Sequence, residues 1–248
     1  MTPVYHDNIF LIVRTLILFI LSFGVAICSA PFLIKILYKN KAWKKKPREY
    51  TIGGERTPIF TKLHAEKEIS TPRMGGILIW WTVLVVTALM LFASKFFGGP
   101  LWESMNFVSR SQTWLPIFAL ISSSLLGLID DILVVKNKGK YIGGGIRFKI
   151  RLSLITLIAL IGSWWFYFKL GWSSIYVPFY GNFQIDGWYL LLFVLVVIAT
   201  FSSSVVDGLD GLSAGVLSPI FAAFGVIAYV RGAYDLAAFI TVIIGALA

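Results

Sequence analysis

Asp130 and Asp131 stand side by side in "LLGLIDDILVVKNKGK", at the end of an apolar run. Adjacent carboxylates repel each other unless a cation is shared between them. A solvated helix end, with Lys136, Lys138 and Lys140 downstream, would relieve a single aspartate without any function. A pair calls for more, because ionisable residues near membrane helix ends are functional candidates by default. A hard divalent ion held by one or two carboxylates and by substrate phosphates meets the need, and Mg2+ favours such ligand sets.

Asp207 and Asp210 form a second acidic pair in "SSSVVDGLDGLSAG". Their i, i+3 spacing suits one helical face. Gly208 and Gly211 interrupt a helix there and let a ligand approach the backbone. A D-G turn with Asp210 capping the next helix accounts for the same residues, so both readings stand at this level. "STPRMGG" joins a proline-containing entry to paired glycines, which suits helix initiation and close packing as well as a site. Lys67 and Arg73 add positive charge beside it. The basic stretch from Lys136 to Arg151, with Gly143, Gly144, Gly145 and Lys149, could cradle phosphate or could simply orient the chain. His6 and His64 are isolated, and His64, in a basic loop, reads as a solvated side chain.

The elements that position these residues are apolar blocks. The 248 residues are 58% hydrophobic and 14% charged, whereas soluble domains are about 45–50% apolar and about 25% charged. Six full segments and one partial one are expected: Ile9–Leu37, Gly75–Phe97, Trp114–Val135, Leu152–Leu170, Trp188–Val206, Leu212–Val230 and Leu236–Ala248. The fold class is therefore an all-α polytopic membrane bundle, with residues 1–248 as a single domain. The first run is too long for a signal-peptide core. Cys28 is the only cysteine, so there is no disulfide framework. The last segment is short of a span, and a terminal carboxylate at membrane depth is costly. The expectation is a chain truncated at its C-terminal side.

Charge sorts the loops. Lys39 to Arg73 and Lys136 to Arg151 are rich in cations, and the alternate loops are poor. The rich loops are expected in the cytoplasm and the N-terminus outside. "STPRMGG", the Asp130–Asp131 helix end and the Asp207–Asp210 turn then share the cytoplasmic face. Trp164, Trp165, Tyr167 and Trp172 fall at the outer interface. "SSIYVPFYGNFQIDGW" reads as a small external β-hairpin around a Gly181-Asn182 turn. The net charge of +10 points to anionic membrane lipid, not to nucleic acid, since no soluble domain carries it.

Carboxylates, lysines and glycines at a membrane surface suit phosphoryl transfer to a lipid, which depends on positioning and charge neutralisation. From about Lys62 onward, "TPRMGGILI", "GLIDD" with its tail through "GGGIRFK", and "VVDGLDGLSAG" resemble the polyprenyl-phosphate N-acetylhexosamine-1-phosphate transferases in order and spacing. The resemblance implies an all-helical enzyme of the bacterial inner (plasma) membrane. The implied reaction moves phospho-N-acetylmuramoyl-pentapeptide from its UDP carrier to undecaprenyl phosphate, with Mg2+, releasing UMP and forming lipid I. It implies catalytic and metal-binding roles for Asp130, Asp131 and Asp207. Substrate contacts are implied for Lys67, Gly208, Leu209, Asp210 and Lys149, and a homodimer is left open. The pattern departs at Phe201 and Ser204, where asparagines are usual, at Ser153, where glutamine is usual, and at Arg73. Arg73 resembles the branch that transfers N-acetylglucosamine-1-phosphate. A later acidic motif and a His-rich loop would lie beyond Ala248, so this chain alone is expected to be inactive. The alternatives are another UDP-sugar-1-phosphate transferase and an ion-coupled transporter, whose acidic site would lie near the bilayer midplane.

Overall fold

The computed structural model describes residues 8–43, 71–109, 111–136, 145–177, 179–202 and 211–248. The elements in chain order are α1 (Asn8–Lys39), α2 (Ile77–Phe96), the short α3 (Pro100–Met105), α4 (Trp114–Val135) and α5 (Phe148–Trp164). A π-helical turn, Trp165–Lys169, extends α5. Then come β1 (Ser174–Val177), β2 (Gly181–Gln184), α6 (Trp188–Ser202), α7 (Leu212–Val230) and α8 (Tyr234–Leu247). Among the described residues, five helical stretches are long and apolar enough to cross a membrane: α1, α2, α4, α5 with its π turn, and α7. At 1.5 Å per residue, about 20 residues match a hydrocarbon core of about 30 Å. The two shorter apolar helices are α6 and α8. The chain is a multi-pass, all-α bundle with one small hairpin.

Three details differ from the sequence expectation. The fourth segment starts at Phe148, not at Leu152, so Lys149 and Arg151 are helical and not in the loop. No glycine or proline lies between Arg147 and Leu152 to stop the helix sooner. In the hairpin, Val177 pairs with Gly181 and Tyr176 with Asn182. Gly181 and Asn182 therefore belong to β2, and the turn lies before them, with Phe179 at φ +73°. The third difference is α3, whose proline sits at its first turn, where a missing N–H does no harm.

The packing core joins α1, α2 and α8. Leu18, Val83, Val86, Phe107, Phe239 and Val242 are all essentially buried there. Between helices in lipid, close van der Waals packing and polar links do the holding, because the surroundings are as apolar as the core. Gly245 supplies the closest approach: a Cβ there would lie 2.6 Å from the Phe19 carbonyl oxygen. Beside it, Ser22 Oγ donates to the Val242 carbonyl at 2.6 Å.

A polar link closes the end of the bundle away from Asp130. The Arg14 side chain, 6% exposed, pairs with Asp235 at 3.0 Å and donates to the Asn106 carbonyl at 3.1 Å. Gln112 Oε1 accepts from the backbone N–H groups of Asp235 and Leu236. It thereby satisfies two donors that the start of α8 leaves open. At this same end Phe166 packs against Trp172, Tyr189 and Phe193, and α6 lies along α5.

Candidate active site

Four helix ends meet at the opposite face. They are the entry to α2, the last turns of α4, the first turn of α5 and the end of α6. The chain preceding α2 is tied to the segment just after α1 by the Arg73 backbone N–H, which donates to the Ala42 carbonyl at 2.7 Å. Met74 follows at φ +71°. A non-glycine residue in this left-handed region costs about 1–2 kcal/mol. Its neighbours must therefore hold it. One of them is Asp131, which accepts the Met74 backbone N–H.

Asp130 and Asp131 occupy one turn of α4, yet successive side chains on a helix point about 100° apart. Each carboxylate meets a different neighbour. Asp131 faces the α2 entry, within electrostatic reach of Arg73 and Arg151. It lines a cavity of about 190 Å3 with Met74, Trp80, Ser124 and Leu128 among its walls. Asp130 faces α5. Its Oδ1 accepts the Ile146 backbone N–H at 2.6 Å, and its Oδ2 lies 3.8 Å from Arg151 Nη1. Both carboxylates are half-buried.

Gly145 makes the contact to α5 feasible. A Cβ at that position would lie 2.5 Å from Asp130 Oδ1. Arg151 in turn lies over the Phe201 ring of α6, with its guanidinium carbon 5.3 Å from the ring centroid. Arg147 and Lys149 are exposed at the same helix start. Lys149 is two residues from Arg151 and so does not share its face. Asp207, Gly208, Leu209, Asp210 and Lys67 lie outside the described residues, as do Ser204, Gly143 and Gly144.

Among the described residues, no three His, Cys, Asp or Glu side chains converge on a metal-sized site. The donors that are present suit a hard cation. A carboxylate has about four lone-pair positions, so Asp130 keeps capacity beyond its two partners, and Asp131 keeps more. Mg2+ bound through one or two carboxylates and completed by phosphates and water needs no third protein ligand.

Sequence reading singled out the two aspartates but not their partners. The Met74 and Ile146 N–H groups carry no side-chain signature. Arg151 was one cation among many. Gly145 sat in a glycine run whose obvious reading was a phosphate cradle, and its role here is to make room for a carboxylate.

Comparison with known proteins places this geometry in context. Residues 113–248 match the family described as glycosyl transferase family 4. The chain is 28% identical to a phospho-N-acetylmuramoyl-pentapeptide-transferase of Listeria welshimeri, over 96% of the chain and 65% of that relative. It is 30% identical to the protein of that name in a Geobacillus species, over 92% of the chain and 63% of the relative. The similar protein of Oceanobacillus iheyensis is 31% identical, over 86% of the chain and 59% of the relative. The chain thus spans less than two thirds of the length of the curated relatives it matches.

Proposed function

We propose a reaction for this chain from one premise: it belongs to glycosyl transferase family 4, which it matches over residues 113–248. The reaction is transfer of phospho-N-acetylmuramoyl-pentapeptide from UDP to undecaprenyl phosphate. An oxygen of the lipid phosphate forms a bond to the sugar-side phosphorus of the diphosphate. The bond from that phosphorus to UMP breaks, UMP leaves, and lipid I stays in the membrane. The names of the relatives support this choice of substrate.

The observation that carries the reading is Asp131, half-buried at a membrane helix end and lining a cavity between the α2 entry and α4. Phosphoryl transfer asks a protein mainly for positioning and charge neutralisation. Asp131 and Asp130 are the residues here that would hold Mg2+, with Asp207 as the further ligand the family resemblance implies. When bound, the ion would neutralise charge on the phosphates. Arg73 and Arg151 lie within electrostatic reach of Asp131, and Arg147 and Lys149 are exposed at the start of α5, positive charge that would attract phosphate-bearing substrates. Lys67, Gly208, Leu209 and Asp210 complete the nucleotide side in this proposal.

The proposed setting is the bacterial inner membrane, with this face in the cytoplasm and the N-terminus outside, because the cation-rich stretches of the sequence adjoin these helix ends. A second reading, transfer of N-acetylglucosamine-1-phosphate, is favoured by Arg73 and its closeness to Asp131. A transporter fits less well. Asp130 lies five residues before Val135, within about 8 Å of the helix end at 1.5 Å per residue, not at the midplane. UMP release from UDP-N-acetylmuramoyl-pentapeptide and from UDP-N-acetylglucosamine, each with undecaprenyl phosphate, decides between the two sugars. Release only from the second donor would replace the primary reading.

A further inference from the structure

We propose that Arg151 is a positioning residue of this site, acting through Asp130 and seated on Phe201. The inference rests on the reading of Asp130 and Asp131 as the transferase site and adds a part to it. Arg151 stands in the first turn of α5, a turn without any acidic residue. The start of a helix is its positive end, so a cation there is disfavoured unless an anion answers it. Lys149 and Arg147 are exposed and can be answered by solvent. Arg151 is not fully exposed, at 36% for its side chain. Its Nε is buried without a hydrogen-bond partner among the described residues. The anion on hand is Asp130, 3.8 Å from Nη1.

The remaining contacts fix the direction in which this pair acts. Asp130 is already anchored on its other oxygen by the Ile146 N–H at 2.6 Å. Gly145 brings that backbone close enough to reach it. Arg151 faces the second oxygen at 3.8 Å, an ion pair longer than a hydrogen bond, so each oxygen has its own neighbour. The guanidinium carbon lies 5.3 Å from the Phe201 ring centroid, within reach of a cation–π attraction. Three helices are joined in this way: α4 through Asp130, α5 through Arg151 and α6 through Phe201. Asp131, on the other side of the same turn, is left toward the cavity. The pair of aspartates thereby has two tasks. Asp130 is kept in place by its neighbours, and the α4 turn presents Asp131.

Hydrogen exchange at residues 145–151 and steady-state UMP release are measured together on the full-length protein in lipid nanodiscs. The variants are Arg151→Gln, Arg151→Lys and Phe201→Leu, each checked for folding by gel filtration. Arg151→Gln is expected to speed exchange of the Ile146 amide by about tenfold, since a charge-assisted contact no longer steadies its acceptor. It should lower kcat by about tenfold while KM for the UDP-sugar stays within about twofold. Arg151→Lys keeps the charge but not the guanidinium fork and should fall between the two. Phe201→Leu, which perturbs the core less, should move the Ile146 amide in the same direction. Unchanged exchange at Ile146 in Arg151→Gln overturns the proposal. A raised KM with unchanged kcat overturns it too, because that is the mark of a direct substrate contact. Faster exchange in Arg151→Gln, with no UMP release even from the unsubstituted protein, supports the Arg151–Asp130 link and removes the transferase reading instead.

Discussion

Replacing Gly145 with alanine probes the site through one added methyl group. Gly145 is outside the positive-φ glycines, so the backbone itself tolerates a side chain. Taken alone, Gly→Ala would even stabilise by about 0.4–1 kcal/mol through the unfolded chain. Space decides against it. The new Cβ would lie 2.5 Å from Asp130 Oδ1 and 3.1 Å from its Cγ. To restore ordinary contact the carboxylate must withdraw by about 1 Å. That withdrawal breaks the 2.6 Å bond from the Ile146 N–H. Losing a hydrogen bond to a charged acceptor costs about 1.5–3 kcal/mol, which outweighs the backbone gain. The net expectation is a local loss of about 1–2 kcal/mol. The effect on rate should be larger, because a misplacement of about 1 Å in a catalytic arrangement can cost about a hundredfold. The assay is UMP release by purified Gly145→Ala, with Ile146 exchange as the structural readout. Full turnover together with unchanged exchange would mean that Asp130 does not need its present position.

The other expectations address the bundle and the metal. Gly245→Ala places its Cβ 2.6 Å from the Phe19 carbonyl and 2.9 Å from Ser22 Cβ. It should push α1 and α8 apart and cost about 1–3 kcal/mol, read as a lower melting temperature in nanodiscs. Arg14→Met leaves Asp235 unpaired and should destabilise by about 3 kcal/mol, toward the lower end for a broken buried pair because Asp235 is partly exposed. Adding Asp235→Leu to that variant should recover part of the loss, and an unrecovered melting temperature would argue against the pair as the cause. Chelation with EDTA should stop UMP release, with Mg2+ restoring it. Continued release in EDTA would remove Mg2+ from the proposal.

The spans were legible because length and hydropathy are set by the lipid slab, and every predicted segment has a helix within it. The hairpin was legible from its β-rich flanks, but its turn was placed late because Gly181, though at φ +83°, sits in a strand. The π turn at Trp165–Lys169 and the short α3 were not foreseen, since neither changes the apolar pattern. Asp130 and Asp131 stood out because charge next to an apolar run is conspicuous. Their separation onto two faces follows from helix geometry and was open to inference. Their partners were not, because two are backbone N–H groups and the third is one arginine among 22 basic residues. Arg14 and Asp235 are 221 positions apart, and nothing local in either stretch announces the other. Asp207, Asp210 and Lys67 lie outside the described residues and keep the roles proposed from resemblance.

If Asp131 belongs to a phosphotransferase site, removing its charge must stop turnover. Asp131→Asn keeps the shape of the side chain and removes its charge. The measurement is UMP release from UDP-N-acetylmuramoyl-pentapeptide and undecaprenyl phosphate by the full-length protein, this variant and Asp186→Asn, an exposed change in the segment after the hairpin. Release is expected from the unsubstituted protein and from Asp186→Asn, with a loss of at least about a hundredfold in Asp131→Asn at equal folded protein. Turnover by Asp131→Asn equal to that of the unsubstituted protein would contradict that placement of Asp131.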